Sequence, residues 1–157
     1  MLVARTYSKV YGLAGIRLGY AMGDAELLIP LERIKEPFAV NSLAQVAGIA
    51  ALKDHDCLET SVEENRIERE YLYEQLDRLD LFYLRSHSNF ILVRIGSQAS
   101  LVSHELLMRG VIVRPCEGYD LPDFLRITLG TPEQNARLAG ALEQALLAVR
   151  QVQTGVS

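Results

Sequence analysis

A glycine recurs at positions 12, 15, 19 and 23, every third or fourth residue of one short stretch. Inside a helix or strand each glycine costs ~0.5–1 kcal/mol relative to alanine, because it loses the most backbone freedom on ordering. The stretch is therefore too glycine-rich for a stable helix and reads as a loop leading into a strand. Upstream, the apolar Leu2-Val3-Ala4 gives way to the polar Arg5-Thr6-Tyr7-Ser8-Lys9, the pattern of a strand emerging into a loop. Downstream, Ile16 to Met22 is expected to form a second strand, ended by Gly23. A lysine thus follows a strand and precedes a glycine-rich loop, with Arg17 eight residues further on.

The rest of the chain divides by periodicity. Asp24 is a suitable N-cap for a helix over Ala25 to Ile34, which Pro37 terminates. Asn41 or Ser42 can cap the next helix, Leu43 to Leu52, which is alanine-rich, apolar on most faces, and expected to be buried or wedged against a partner. From about Leu58 to Leu79 the pattern is strongly amphipathic. Ile67, Tyr71, Leu72, Leu76 and Leu79 recur at helical spacing, and Glu64, Glu68 and Arg69 mark the expected solvated side. This predicts a long helix bridging two regions. Asn89 to Ile95 is expected to be a strand, Leu101 to Arg109 a helix stopped by Gly110, and Val111 to Val113 a strand ended by Pro115. Phe124 to Leu129 reads as a further strand. Thr131 then caps a last helix with Pro132 in its first turn, running to about Val149 before a frayed tail to Ser157. The order β–α–β–β–α gives the last third a small α+β unit around a short sheet.

Composition excludes several classes. A length of 157 residues suits one domain, or one with an extra arm, and 49% hydrophobic with 23% charged content is that of a globular protein. A net charge of −4, with no basic run, gives no electrostatic reason for nucleic acid or an anionic membrane as partner. No apolar run approaches the ~20 residues that span a bilayer, and Met1 to Ser8 lacks signal-peptide order. Cys57 and Cys116 lack CxxC spacing, so reduced thiols in a cytoplasmic protein are expected. His55, His87 and His104 have no metal-ligand spacing and are expected at the surface or as caps, leaving no metal site.

The chemistry concentrates at Lys9. A lysine amine becomes a nucleophile toward an aldehyde when burial or nearby cations lower its pKa. A hydroxyl and a guanidinium beside it can hold a phosphate dianion, and glycines at 12 and 15 let backbone approach closely. The set suits a phosphorylated aldehyde cofactor, although a lysine and an arginine flanking a loop can equally be solvated surface charges.

The run Arg5-Thr6-Tyr7-Ser8-Lys9-Val10-Tyr11-Gly12-Leu13-Ala14-Gly15-Ile16-Arg17-Leu18-Gly19-Tyr20 closely resembles the lysine signature of fold-type I aminotransferases dependent on pyridoxal 5'-phosphate (PLP). Two further blocks resemble the histidinol-phosphate aminotransferase branch: Glu36 to Gln45, and Arg109 to Pro115 continuing to Leu125 to Asn135. The resemblance implies an α/β fold, the end of a large cofactor-binding domain over 1–55 and a small α+β domain with a bridging helix over 56–157. It implies Lys9 as the cofactor-linking lysine and proton shuttle, with Ser8 and Arg17, and less directly Thr6, on the cofactor phosphate. It assigns Arg126 to the substrate α-carboxylate and Arg114 to the phosphate end of a phosphorylated amino alcohol. Glutamate and 2-oxoglutarate are then the other substrates, the reaction a step of histidine biosynthesis, and the enzyme a cytoplasmic homodimer.

Each assignment has a structural alternative. Arg126, flanked by apolar residues, needs an anion, and a neighbouring Asp or Glu could supply it. Arg114 could be simply an exposed arginine at a strand end, and Tyr11 and Tyr20 could be packing residues. The sequence departs from the family pattern at Ala39, where relatives carry asparagine, and in length, since complete enzymes carry an additional N-terminal half. The chain is therefore expected to be a truncated form that binds PLP weakly and transaminates negligibly alone. A threonine-phosphate decarboxylase, an aromatic aminotransferase, or a non-catalytic folding or dimerisation module remain as alternatives.

Overall fold

The computed structural model describes residues 1–154, with side chains as far as 151. The fold forms two compact units, Met1–Glu63 and Glu64 onward. In the first, strand β1 (Leu2–Thr6) pairs antiparallel with β2 (Gly19–Gly23), Leu2 opposite Gly23 and Thr6 opposite Gly19. The second strand starts at Gly19, not at Ile16. Arg17 adopts a left-handed φ of 58°, which interrupts the extended backbone just before the ladder begins.

Helix α1 (Ala25–Ile34) and helix α2 (Ser42–Lys53) follow. Asp24 sits at the N-cap of α1, but its carboxylate accepts from the Met1 ammonium at 3.1 Å instead of capping the helix. At α2 the cap is Asn41, whose Oδ1 accepts from the Ala44 amide at 2.8 Å. Only the small residues of α2, Ala44 and Gly48, are buried. Its large apolar side chains Leu43, Val46 and Ile49 are more than half exposed, so apolar patterning along this helix marks a face left uncovered within the unit.

Helix α3 (His55–Arg78) crosses from the first unit into the second. There, strands β3 (Tyr83–Leu84), β4 (Phe90–Arg94), β5 (Arg114–Pro115) and β6 (Phe124–Thr128) form an antiparallel sheet in the order β3-β4-β6-β5. Helices α4 (Ala99–Met108) and α5 (Pro132–Thr154) complete the unit. The two-residue β3 is too short to leave a periodic signal in sequence.

Alternation along β4 and β6 builds the core. Ile91, Val93, Leu125 and Ile127 point to one face and are at most 2% exposed. They pack with Leu72 and Leu76 of α3, Val102 and Leu106 of α4, and Leu138, Leu142, Ala145 and Val149 of α5. Phe90, Leu92, Arg94, Phe124, Arg126 and Thr128 occupy the alternate positions and none is buried. All three helices thus share one face of the sheet, leaving the other for side chains that are not core.

The strand expected at Val111 to Val113 forms instead at Arg114–Pro115. The Val111 amide donates to the Leu106 carbonyl at 2.9 Å and the Gly110 amide to Leu107 at 2.9 Å, closing α4 in a Schellman turn with Gly110 at φ 73°. Helix termination has claimed the backbone that would have begun the ladder. Helix α5 opens with a capping box: Gln134 N donates to Thr131 Oγ1 at 3.4 Å and Thr131 N donates to Gln134 Oε1 at 3.0 Å. It continues beyond Val149 to Thr154, and the rest of the expected tail, 155–157, lies outside the described residues.

Glu68, expected on the solvated side of α3, is 8% exposed. Asn135, 1% exposed, explains it. The Asn135 Nδ2 donates to Glu68 Oε2 at 2.7 Å and to the Gly130 carbonyl at 3.1 Å, while its Oδ1 accepts from the Gly130 amide at 3.0 Å. One side chain fastens the β6–α5 turn and satisfies a buried carboxylate. Asn135→Ala strands that carboxylate and the Gly130 backbone, and is expected to lower the unfolding free energy by about 3 kcal/mol. Glu68→Gln keeps an acceptor for Nδ2 and should cost much less; urea denaturation of both variants checks this, and equal losses would contradict it.

Candidate functional site

The lysine loop is closed at its neck. The Tyr7 amide donates to the Leu18 carbonyl at 3.1 Å, one step beyond the Thr6–Gly19 ladder pair. Ser8 and Arg17 are the next residues outward from that closure, so the loop brings them to its mouth from opposite ends of the chain segment. Lys9 begins a tight turn in which the Gly12 amide donates to the Lys9 carbonyl at 2.9 Å. Gly12 holds φ 68°, a conformation that suits glycine at the end of the turn. The Leu13 amide donates to the Tyr7 carbonyl at 3.0 Å and fixes the far side of the turn.

Each expected site residue in this unit has a defined environment. Thr6 Oγ1 accepts from the Ser8 amide at 3.1 Å and orders the backbone entering the lysine turn. Lys9 is exposed and Ser8 half-buried. Arg17 Nη1 donates to the Ala14 carbonyl at 2.8 Å, which folds the guanidinium over the loop and leaves its remaining N–H groups available. A Cβ added at Gly12 or Gly15 would meet nothing within 4 Å. Amine, hydroxyl, guanidinium and open backbone together are a donor set that fits a phosphorylated aldehyde.

Three residues that sequence reasoning passed over as site components hold this loop. The Tyr7 ring is 5% exposed and packs against Tyr11 and Tyr20, with ring centres 5.0 Å and 5.7 Å away. Tyr11 and Tyr20 thus both pack against the Tyr7 ring. Gly48 of α2 lies beneath: a Cβ there would stand 3.7 Å from the Tyr7 ring and collide with Leu18 Cδ2. Asn41, besides capping α2, donates from Nδ2 to the Ile16 carbonyl at 3.4 Å. The cap was legible from sequence, whereas the second bond spans 25 residues and had no local signal.

In the second unit, Arg126 of β6 lies directly opposite Arg114 of β5. Like charges facing one another across a ladder destabilise a sheet unless something neutralises them. Among the described residues neither arginine pairs with an Asp or Glu, so the acidic neighbour considered for Arg126 is absent. The Arg126 guanidinium instead lies over the Phe90 ring, 5.3 Å from its centre, and its Nε is buried without a hydrogen-bond partner. Two opposed cations, one carrying an orphaned buried donor, are a donor set that an anion would fit. Phe90 was missed because only the β4–β6 register brings it beside Arg126. No cluster of His, Cys, Asp and Glu that could hold a metal occurs among the described residues, nor is any helix there long and apolar enough to cross a membrane.

Comparison with known proteins gives likenesses that run over most of the chain. The family model "Aminotransferase class I and II" matches residues 1–142. The chain is 49% identical over 146 residues to histidinol-phosphate aminotransferase of Symbiobacterium thermophilum, covering 93% of this chain and 40% of that protein. It is similar, at 48% identity, to histidinol-phosphate aminotransferase 1 of Cupriavidus pinatubonensis, with the same coverage. The crystal structure of histidinol-phosphate aminotransferase from Sinorhizobium meliloti in complex with pyridoxal-5'-phosphate superimposes with a TM-score of 0.86 at 28% identity, covering 94% of this chain and 41% of that one. The chain thus spans about 40% of the length of the curated relatives it matches.

Burial, and secondarily the neighbouring Tyr20 and Tyr11, hold the Tyr7 phenol above its ordinary pKa of 10.0. A raised folded pKa means that the stability associated with neutral Tyr7 is fully present below pH 10 and is lost as pH rises through the folded value. Tyr83, raised chiefly by burial and then by its hydrogen bond to Asp77, adds a share of its own. Tyr7→Phe is expected to move alkaline unfolding to higher pH while leaving the Tyr83 share, as followed by circular dichroism; an unchanged alkaline midpoint would contradict it.

Proposed function

The chain belongs to the aminotransferase class I and II family, and we propose that it forms part of a PLP-dependent aminotransferase acting on histidinol phosphate and 2-oxoglutarate. The observation that carries the substrate reading is the Arg114–Arg126 pair, two cations in register with no acidic partner among the described residues. In this reading residues 1–55 end the cofactor-binding domain and 56–157 make the small domain. The whole protein works in histidine biosynthesis, in the cytoplasm, as a homodimer.

When bound, PLP supplies the electron sink that stabilises negative charge developing at the substrate Cα. The chain's own residues do the rest. Lys9 is the cofactor-linking amine, and its Nζ takes and returns the Cα proton. Ser8 Oγ and the Arg17 guanidinium bind the cofactor phosphate, as, less directly, does Thr6, whose Oγ1 also accepts from the Ser8 amide and orders the backbone entering the lysine turn. Arg126 receives the substrate α-carboxylate in a bidentate pairing that lysine imitates poorly. Its orphaned Nε and its place over Phe90 support that role, because the ring fixes the guanidinium plane before an anion arrives. Arg114 takes the substrate phosphate end.

A fold likeness to L-threonine-O-3-phosphate decarboxylase of Porphyromonas gingivalis, TM-score 0.81 at 24% identity, shows the shared fold alone. Greater sequence identity to histidinol-phosphate aminotransferases favours the transaminase reading.

Incubating the purified chain with PLP, reducing with borohydride and mapping peptides tests the cofactor reading. Trapping at Lys9, absent in Lys9→Ala, is expected. Trapping spread equally over several lysines would count against a built site and favour a non-catalytic module. Arg126→Lys should weaken binding of 2-oxoglutarate roughly tenfold to a hundredfold by calorimetry, since a charge-assisted fork is replaced by a point charge. An unchanged affinity would remove Arg126 from the carboxylate site.

A further inference from the structure

We propose that Asn41 is a positioning residue for Arg17: through the Ile16 carbonyl it holds the arginine in a left-handed conformation that aims the guanidinium at the cofactor phosphate. This rests on the reading of Arg17 as a phosphate ligand. Arg17 has φ 58°, where a side chain with a Cβ is strained. Such strain persists only where the surroundings over-determine it. The chain on both sides of Arg17 is fastened, and helix α2 takes part on each side.

On the leading side, φ of Arg17 sets the rotation of the peptide unit that contains the Ile16 carbonyl. That carbonyl accepts from Asn41 Nδ2 at 3.4 Å. Asn41 cannot easily follow a rotating peptide, because its Oδ1 is committed to the Ala44 amide at 2.8 Å as the α2 cap. On the trailing side, the Leu18 carbonyl accepts from the Tyr7 amide at 3.1 Å. The Leu18 side chain lies against Gly48, where a Cβ would leave no room for it. Relaxing Arg17 to negative φ would swing one of these two carbonyls away from its donor. The Arg17 Nη1 bond to the Ala14 carbonyl, 2.8 Å, then sets the direction of the guanidinium relative to that fixed backbone. Glycine at 17 would adopt the same φ without strain but would carry no cation. An asparagine on the neighbouring helix supplies the restraint while the arginine is kept.

The test uses Asn41→Ser in the full chain. Serine caps a helix about as well as asparagine, so α2 keeps its N-terminus, but it has no amide to donate to Ile16. In the left-handed region the amide and α protons of one residue lie close together. The wild-type chain, isotope-labelled, is therefore expected to show a strong intraresidue amide–Hα cross-peak for Arg17, weakened in Asn41→Ser. PLP affinity, read from borohydride trapping at Lys9 against PLP concentration, is expected to fall roughly tenfold. In an Arg17→Gly background the same serine substitution should change affinity little, because the two residues act as one unit. An equal loss in both backgrounds would mean that Asn41 serves the fold generally and would overturn the proposal. So would an Arg17 cross-peak that survives the substitution at full strength. Failure of the wild-type chain to trap PLP at Lys9 would mean that the cofactor site does not assemble in this chain alone, a result separate from the cross-peak, which would still decide whether Asn41 holds Arg17.

Discussion

Two-residue alternation along β6 is the constraint on which the second unit depends. Leu125 and Ile127 go to the helical face and are essentially sealed from water, so Arg126 between them must go to the other face. A slip of one residue would bury the guanidinium among leucines and valines and expose the core. The large cost of an unpaired buried charge and the gain from burying two apolar side chains act in the same direction. Register and the placement of both guanidinium groups are therefore decided together. The ladder that fixes the core also sets Arg114 opposite Arg126.

The first unit solves a different problem, how to hold a glycine-rich loop still. Local propensity gives no help there, and the order comes from the neck at Tyr7 and Leu18, the tyrosine cluster, and the close approach of α2 at Gly48. The burial is slight, since Tyr7, Ala44 and Gly48 are the well-covered residues, and Leu43, Val46 and Ile49 of the same helix stand out in water. Gly48 faces the loop because a side chain there would leave no room for Leu18.

Much of the chain was legible in one dimension. The long amphipathic helix, the strands at Phe90–Arg94 and Phe124–Thr128, the Gly110 stop and the Thr131 capping box follow from periodicity and end signals a few residues wide. Errors arose where a second demand on the same backbone or side chain overrode the local pattern. Glu68 reads as solvated until Asn135, 67 residues away, supplies its hydrogen bond. Val111 has strand propensity, yet its amide is taken by the end of α4. Ile16 to Leu18 look extended, but Arg17 turns left-handed.

The candidate site divides along the same line. Sequence alone determined which groups are present: the lysine turn, its hydroxyl and guanidinium neighbours, and two arginines near two short strands. Those are matters of residue type and local spacing, set by covalent order and by what each side chain can donate or accept. Tertiary structure decided that Arg114 faces Arg126, that Phe90 lies beneath one guanidinium with its Nε unpartnered, and that Asn41 reaches the loop carrying Arg17. Such relations depend on strand register and on helix-to-loop contacts between residues far apart in the chain, so no window of sequence contains them.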